Sequence, residues 1–280
     1  MLRTQSPVRA LTTADRDRAL EVCARDTRTN VFVAARILEG ALTTSPGALL
    51  GYAEDSGLMA VCWASANLVP VECDGRALAA FAIKLRRWRR QCSSVFGPAD
   101  MVLPLWEHLR PTWGEPREVR EYQPVLATAG PLPTGMSCDP HVRPARFSEL
   151  DLVTPAAAAM FTEEIGYPPY WGSRQAYRQG IATLIRQGHT FVRVDGGEVM
   201  FKADVGSVAL GVAQVQGVWV APRWRGQGLA GPAMAAVVEQ VRAEIADVVT
   251  LYVNDFNAPA RATYARVGFT EIGSFATILM

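Results

Sequence analysis

Residues 218–231 read VWVAPRWRGQGLAG, an apolar run followed by a turn that combines glycine with fixed positive charge. Gly226 and Gly228 let the backbone approach a ligand closely, and Arg225 carries a charge that does not titrate away. The first N–H groups of a helix have no partner inside the helix, and they point outward together. The stretch therefore predicts a diphosphate site where a strand passes into a helix. The alternative is a plain strand-to-helix turn.

The sequence around this stretch predicts an α/β unit. FVRVDGGEVMFKADVG contains two strands joined at its DGG turn (195–197), and SVALGVAQVQGVWV (207–220) reads as one long strand. Pro232 fits a helix only near its start, so the next helix begins at the glycines. VVTLYV then reads as a buried strand, NAPARATYARVGF as a helix that ends at Gly268, and TEIGSFATIL as a final strand.

The domain organisation follows from a segment rich in Gly and Pro, ATAGPLPTGMSCDP. It predicts a linker at 130–139 between a first domain, 1–129, and a second domain, 140–280. The two halves also show a faint repeat, because DGRALA opens a helix in the first half where RGQGLA opens one in the second. Asp74 then occupies the place of Arg225, and a phosphate would be repelled there.

The charge of the chain argues against a general nucleic-acid binder. Lys and Arg number 28 and Asp and Glu number 27, so the net charge is +1. One helix carries a local run of basic residues opposite an apolar face, and we interpret that run as a solvated surface. An interaction module or RNA-binding surface on this helix is a minor hypothesis. Its basic residues are Lys84, Arg86, Arg87, Arg89 and Arg90.

Cysteine and histidine usage points to a cytoplasmic protein without a metal site. The five cysteines form no C-x-x-C pair, and the three histidines share no metal-binding spacing. The N-terminus lacks the apolar region of a signal peptide, and no apolar run is long enough to span a membrane. We therefore expect no membrane association, and the oligomeric state stays open.

Two motifs in the second half resemble a known family. V-x-P-x-x-R-G-x-G-x-A, followed further along by YVNDFNAPARATYARVGF, is similar to the acetyl-CoA-binding core of the GNAT superfamily of N-acetyltransferases, over about residues 140–280. The stretches CSSVFGPADMVLPLWEHL and MFTEEIG resemble proteins in which a degenerate GNAT-like domain precedes such a core. The resemblance implies an α/β fold of tandem GNAT-like domains, each with a twisted, mostly antiparallel sheet flanked by helices.

The resemblance also implies a set of site residues. In that family the glycine loop holds the CoA pyrophosphate through backbone N–H groups, and the preceding strand bonds to the pantetheine arm. Tyr264 is the implied catalytic residue, which would protonate the leaving thiolate. No metal is implied. The implied cofactor-binding residues are Val218, Trp219, Val220, Arg225, Gly226, Gln227, Gly228, Leu229, Ala230, Asn257 and Arg261.

The implied activity is direct transfer of an acetyl group from acetyl-CoA to a primary amine, which could belong to a small molecule, an amino acid or a protein. No cysteine follows Cys138 and no G-x-S-x-G motif occurs, so a covalent enzyme intermediate is not favoured. A CoA-binding sensor without catalysis is the alternative function.

The sequence leaves the role of several residues near the predicted site open. Tyr264 could instead be a core residue, because its spacing also fits the apolar face of its helix. Glu163 and Glu164 read as solvated residues at a helix end, although a Pro- and aromatic-rich loop that could line an acceptor pocket follows them. Asp204 and Asp255 are both candidate bases near strand ends, and nothing in the sequence separates them.

Overall fold

The computed structural model describes residues 6–170 and 173–280, without the side chain of Arg90. The chain folds into two compact units that interleave along the sequence. Unit 1 comprises the residues up to Val125 together with Tyr252–Phe256 and Glu271–Met280, and unit 2 comprises Leu126–Leu251 and Asn257–Thr270. The linear division into 1–129, 130–139 and 140–280 stays a prediction.

The secondary structure mixes strands and helices, which confirms the predicted α/β class. The strands are β1 (Val8–Ala10), β2 (Leu49–Glu54), β3 (Gly57–Ala64), β4 (Asn67–Val71), β5 (Ser94–Pro98), β6 (Glu118–Thr128), β7 (Arg143–Pro144), β8 (Thr190–Asp195), β9 (Glu198–Ala209), β10 (Val212–Val220), β11 (Val248–Tyr252) and β12 (Thr270–Leu279). The helices are α1 (Arg16–Cys23), α2 (Thr27–Leu38), α3 (Ala41–Thr44), α4 (Gly75–Leu85), α5 (Ala99–Trp113), α6 (Leu150–Ile165), α7 (Arg174–Arg186), α8 (Ala230–Glu244) and α9 (Ala258–Val267). In the described ranges no helix is long and apolar enough to cross a lipid bilayer.

Unit 1 has the strand order β1-β2-β3-β4-β5-β12-β6. Its pairs are antiparallel from β1 to β4, parallel between β4 and β5, and antiparallel between β5 and β12. The helices α4 and α5 pack on this sheet, and Phe81 and Leu105 are fully buried in the core between them. Ala276 and Ile278 of β12 belong to the same core, so the end of the chain completes unit 1.

Unit 2 repeats this plan with the strand order β11-β10-β9-β8-β7. The pairs from β7 to β10 are antiparallel, and β10 and β11 are parallel. The predicted hairpin is confirmed, because Gly196 and Gly197 both have positive φ and join β8 to β9. The predicted helix over NAPARATYARVGF is confirmed as α9, which ends at Gly268 in the left-handed conformation.

The prediction of one long strand over 207–220 is wrong, because the chain turns between β9 and β10. Leu210 (φ +52°) and Gly211 (φ +75°) form a tight turn between the two antiparallel strands. The sequence did not reveal this turn, because leucine is rare at positive φ and the apolar pattern continues across it.

The two units differ where a strand of their parallel pair, β4 in unit 1 and β10 in unit 2, passes into a helix. In unit 2, residues 221–229 connect β10 to α8, whereas residues 72–74 alone connect β4 to α4. Asp74 is the N-cap of α4, and its Oδ1 accepts a hydrogen bond of 2.8 Å from the backbone N–H of Ala77. A carboxylate therefore already lies at the helix start that a phosphate would need.

We expect Asp74→Ala to lower the free energy of unfolding by about 1 kcal/mol, because the substitution removes this cap. Urea denaturation of the full chain measures the change. The control is Asp74→Asn, which keeps an accepting oxygen and should retain most of the stability. Equal stability of the Asp74→Ala variant and the wild type would contradict the capping role.

Candidate active site

The strands β10 and β11 separate at the edge of the predicted site. Their parallel register covers Val212 to Gln214 on β10, and it ends where Gln214 faces Thr250. β10 nevertheless continues to Val220, paired with β9 on its other side. The edge of β10 that faces away from β9 is therefore available to a ligand beyond Gln214.

A β-bulge interrupts β10 within this free stretch. Gln216 pairs with Asp204 and Trp219 pairs with Lys202, so Gly217 and Val218 together face a single residue of β9. Gly217 has a φ of +59°, which favours glycine. A bulge leaves one residue outside the regular ladder and turns its backbone groups aside, here at the predicted site residue Val218.

The glycine loop has the conformation that the sequence predicts. A short 3₁₀ turn, Pro222–Trp224, leads to Arg225, and Gly226 and Gly228 both have φ of +75°. α8 begins at Ala230 with Pro232 in its first turn, as predicted.

The N–H groups of this loop point to a ligand. Leu229 is the N-cap residue of α8, and its side chain makes no capping hydrogen bond. Among the residues that the structure describes, the backbone N–H groups of Gly226 and of residues 228–231 donate no hydrogen bond within the protein, whereas the N–H of Gln227 closes the turn at Arg225 and Gly226. The loop and the positive end of the helix dipole therefore form a group of donors suited to an anion.

Arg225, the predicted diphosphate ligand, already has a protein partner. Its Nε donates to the carbonyl oxygen of Val220 at 2.9 Å, and its guanidinium forms an ion pair of 2.6 Å with Glu163. The same carboxylate accepts a hydrogen bond of 3.2 Å from the indole of Trp219. Glu163 thus connects α6 to two predicted cofactor-binding residues. The sequence analysis, which interpreted Glu163 as a solvated residue at a helix end, did not predict these contacts.

Tyr264 lies in the interior, on the face of α9 that packs inward. Its ring is buried and meets Phe269 edge-on, with ring centres 5.8 Å apart. Burial raises the pKa of the Tyr264 hydroxyl above its ordinary value, and the nearby charge of Glu164 raises that pKa further. The phenol therefore stays protonated across the physiological range, which both the acid and the core interpretation require.

The other predicted residues of α9 lie near its start. Asn257 is the N-cap of this helix, and its Oδ1 accepts a hydrogen bond of 3.2 Å from the N–H of Ala260. Asn257 itself is exposed. Arg261 follows one turn later and is partly buried. α9 packs against α8, the helix that follows the glycine loop.

A cavity of about 370 Å³ opens beside the glycine loop. Trp224, Gln227 and Gly228 line it, and so do Arg193 and Asp139, which form an ion pair of 2.5 Å. The side chain of Gln227 donates to the carbonyl of Arg223 at 2.9 Å, which steadies the loop from within.

The two candidate bases lie in different environments. Asp204 belongs to unit 2 and is buried next to the bulge of β10, whereas Asp255 is exposed and belongs to unit 1. Burial, and after it the negative charge of Asp204, raises the pKa of Tyr177 to about 12. No group of three or more His, Cys, Asp or Glu that could hold a metal ion occurs among the residues that the structure describes.

Two family models match the chain. Residues 158–269 match the acetyltransferase (GNAT) family, and residues 47–153 match a domain of unknown function, DUF4081. The first match contains the bulge, the glycine loop and all of α9.

One curated relative matches part of the chain. A mycothiol acetyltransferase of Tsukamurella paurometabola is 29% identical over 156 residues, which are 52% of this chain and 52% of that protein, so the match spans about half the length of each.

Solved structures resemble the whole chain. A GNAT-family acetyltransferase of Colwellia psychrerythraea has a TM-score of 0.57 at 14% identity, over 98% of this chain and 99% of that one. A tandem GNAT protein from the clavulanic acid biosynthesis pathway has a TM-score of 0.50 at 14% identity, over 97% and 98% of the two chains. These likenesses concern the fold alone, and they confirm the predicted tandem arrangement of GNAT-like domains. The chain therefore carries a GNAT acetyltransferase domain at residues 158–269 and a domain of unknown function at residues 47–153.

Proposed function

We propose that the chain transfers an acetyl group from acetyl-CoA to a primary amine. The observation that carries the proposal is the set of backbone N–H groups at Gly226 and residues 228–231 that have no acceptor among the described residues, beside the free edge of β10. A CoA molecule needs both features, because its diphosphate is an anion and its pantetheine arm offers amide groups that can pair with a strand edge.

In the proposed reaction the neutral amine attacks the thioester carbonyl directly. The N–H of Val218, displaced by the bulge, stabilises the oxyanion of the tetrahedral intermediate. When the C–S bond breaks, Tyr264 gives its proton to the sulfur of CoA, and the nitrogen loses its proton to solvent or to a base. Tyr264 then regains a proton from solvent, which balances the proton that the nitrogen released. Each electron pair thus returns to an atom of the substrates, and no covalent enzyme intermediate forms.

The surroundings of the bulge favour a cationic acceptor. Glu163 and Glu164 lie at the end of α6, and Asp204 lies on β9 next to the bulge. Arg225 balances the charge of Glu163 and Lys202 balances that of Asp204, so it is the acidic end of α6 as a whole that attracts an ammonium group before it loses its proton. The class of amine that accepts the acetyl group is determined by an acceptor panel. Small amines, amino acids and peptides are each tested with acetyl-CoA, and release of the CoA thiol is measured.

A CoA-binding sensor would use the same loop without turnover. The burial of Tyr264 is the observation that favours this second function, because a core tyrosine would not reach a thiolate. Release of free CoA thiol in the presence of an amine, above the rate without amine, supports the transferase. Tight CoA binding without any such release across the panel supports the sensor.

The first prediction concerns Arg225. We expect Arg225→Gln to weaken CoA binding by about 1.5–3 kcal/mol, roughly tenfold to a hundredfold in Kd, because it removes one charge-assisted bond to the diphosphate. Isothermal titration calorimetry measures the change. Arg223→Gln is the matched control, since this exposed neighbour lies in the same loop and should leave the Kd within about threefold. An unchanged Kd in the Arg225→Gln variant would remove Arg225 from the site.

The second prediction concerns stoichiometry. Asp74 caps the helix of unit 1 that corresponds to α8, so unit 1 should bind no CoA. We expect a calorimetric titration of the full chain to saturate at one CoA per chain. Saturation at two equivalents would show that the short connection of unit 1 also holds the cofactor.

The third prediction concerns Tyr264. We expect Tyr264→Phe to lower kcat by roughly a hundredfold to ten-thousandfold, while the CoA affinity and the melting temperature stay close to wild type. Because the pKa of this acid is raised, kcat of the wild type should show no loss from its deprotonation below about pH 10. Full kcat in the Tyr264→Phe variant would assign this tyrosine to the core.

A further inference from the structure

A buried ion pair of unit 2 has no role in the reaction as described so far. Lys202 on β9 has no exposed surface, and its ammonium is paired with the carboxylate of Asp204 on the same strand. The other carboxylate oxygen of Asp204 accepts a hydrogen bond of 2.9 Å from the hydroxyl of Thr190. Burying two charges in this way is a weak source of stability, because the lost hydration offsets most of their attraction.

The pair lies directly against the bulge of β10. The ammonium nitrogen of Lys202 is 3.4 Å from the carbonyl oxygen of Gly217, to which it donates. A Cβ atom at Gly217 would be 3.0 Å from the Cε of Met160, 3.2 Å from the Oδ2 of Asp204 and 3.3 Å from the Nζ of Lys202. The backbone of the bulge is thus packed on the ion pair with no space for a side chain.

The register of β10 explains why such a contact is needed. Gly217 and Val218 share one partner residue on β9, so the ladder alone does not fix the orientation of the peptide groups in the bulge. β11 does not support this stretch either, since its register with β10 ends at Gln214. The ammonium of Lys202 supplies a charge-assisted bond to the Gly217 carbonyl, and Asp204 and Thr190 hold that ammonium in place.

We propose that Lys202 and Asp204 are positioning residues of the acyl transfer, which fix the bulge so that the N–H of Val218 points to the thioester oxygen. This inference rests on the proposed function, because the oxyanion belongs to the transferase reaction. The two charges act through the backbone, and neither side chain touches the acetyl group. A small change in the direction of an oxyanion donor is enough to slow a reaction by about a hundredfold.

The test compares two double variants that both remove the charges. The double variant Lys202→Met with Asp204→Val replaces the ion pair by apolar side chains. Replacing a buried ion pair in this way often causes no loss of stability. Lys202→Gln with Asp204→Asn keeps a neutral donor for the Gly217 carbonyl and an acceptor for Thr190. Val199→Ala on the same strand is the control for general destabilisation, since Val199 is buried and lies beyond the last register pair of β9 and β10, Phe201 with Val220.

We expect the apolar variant to lose at least about tenfold in kcat, with a threefold or smaller change in the Kd of CoA. The Gln/Asn variant should recover most of that loss, and Val199→Ala should lower the melting temperature without a comparable loss of kcat. Equal kcat in the apolar variant and the wild type would overturn the proposal. An equal loss of kcat in both double variants would also overturn the proposal. The loss would then follow from removal of the charges and not from loss of the contact with the Gly217 carbonyl.

Two further measurements keep the test decisive. If the apolar variant does not fold, Gly217→Ala is measured in its place, because the added methyl group would press on the Lys202–Asp204 ion pair. An unchanged kcat in Gly217→Ala would contradict the proposal. Hydrogen exchange of the 216–220 backbone needs no activity, and it should be faster in the apolar variant than in the Gln/Asn variant. If the wild type releases no thiol with any amine, the proposed function fails, while the exchange result still decides whether the pair fixes the bulge.

Discussion

The constraint on which the site depends is the set of unpartnered backbone N–H groups at the start of α8. Helix starts leave donors without acceptors, and proteins usually satisfy them with a side-chain cap, as Asp74 does for α4 and Asn257 does for α9. Leu229 cannot do so, and the positive φ angles of Gly226 and Gly228 carry the chain around these donors without covering them. Water or an anion must therefore meet them.

The end of α6 connects this loop to the rest of unit 2. Glu163 pairs with Arg225 and bonds to Trp219, whereas Glu164 acts on the pKa of Tyr264. In the proposed account a diphosphate competes with Glu163 for Arg225, so binding of the cofactor alters the contacts of α6. Cofactor and acceptor binding would then be coupled through one exposed carboxylate, and the ion pair itself contributes little to stability because it is solvent-exposed.

Much of this arrangement could be predicted from the sequence where a local rule decides the structure. The DGG turn, the positive φ of Gly226 and Gly228 and the place of Pro232 all follow from backbone sterics that need no knowledge of tertiary contacts. The end of α9 at Gly268 follows in the same way. The Leu210–Gly211 turn was missed because its first residue gives no such signal.

The remaining features depend on residues that are distant in sequence. Nothing near Glu163 indicates that it meets Arg225, and nothing near Lys202 indicates that β9 buries a charge beside a bulge of β10. The assignment of 271–280 to unit 1 is equally nonlocal, because β12 and the strands of unit 2 have similar apolar patterns. Such contacts are properties of the fold, which local propensity does not encode.

Amide NMR of the glycine loop shows whether its backbone N–H groups bind the diphosphate of CoA. Titration with CoA should move the resonances of Gly226, Gly228 and Gly231 strongly downfield, as expected for N–H groups that donate to phosphate oxygens. Titration with pantetheine, which lacks the diphosphate, should leave these three resonances in place. If CoA binds and the three glycine resonances do not move, or if pantetheine moves them equally, the diphosphate lies elsewhere and the account is wrong.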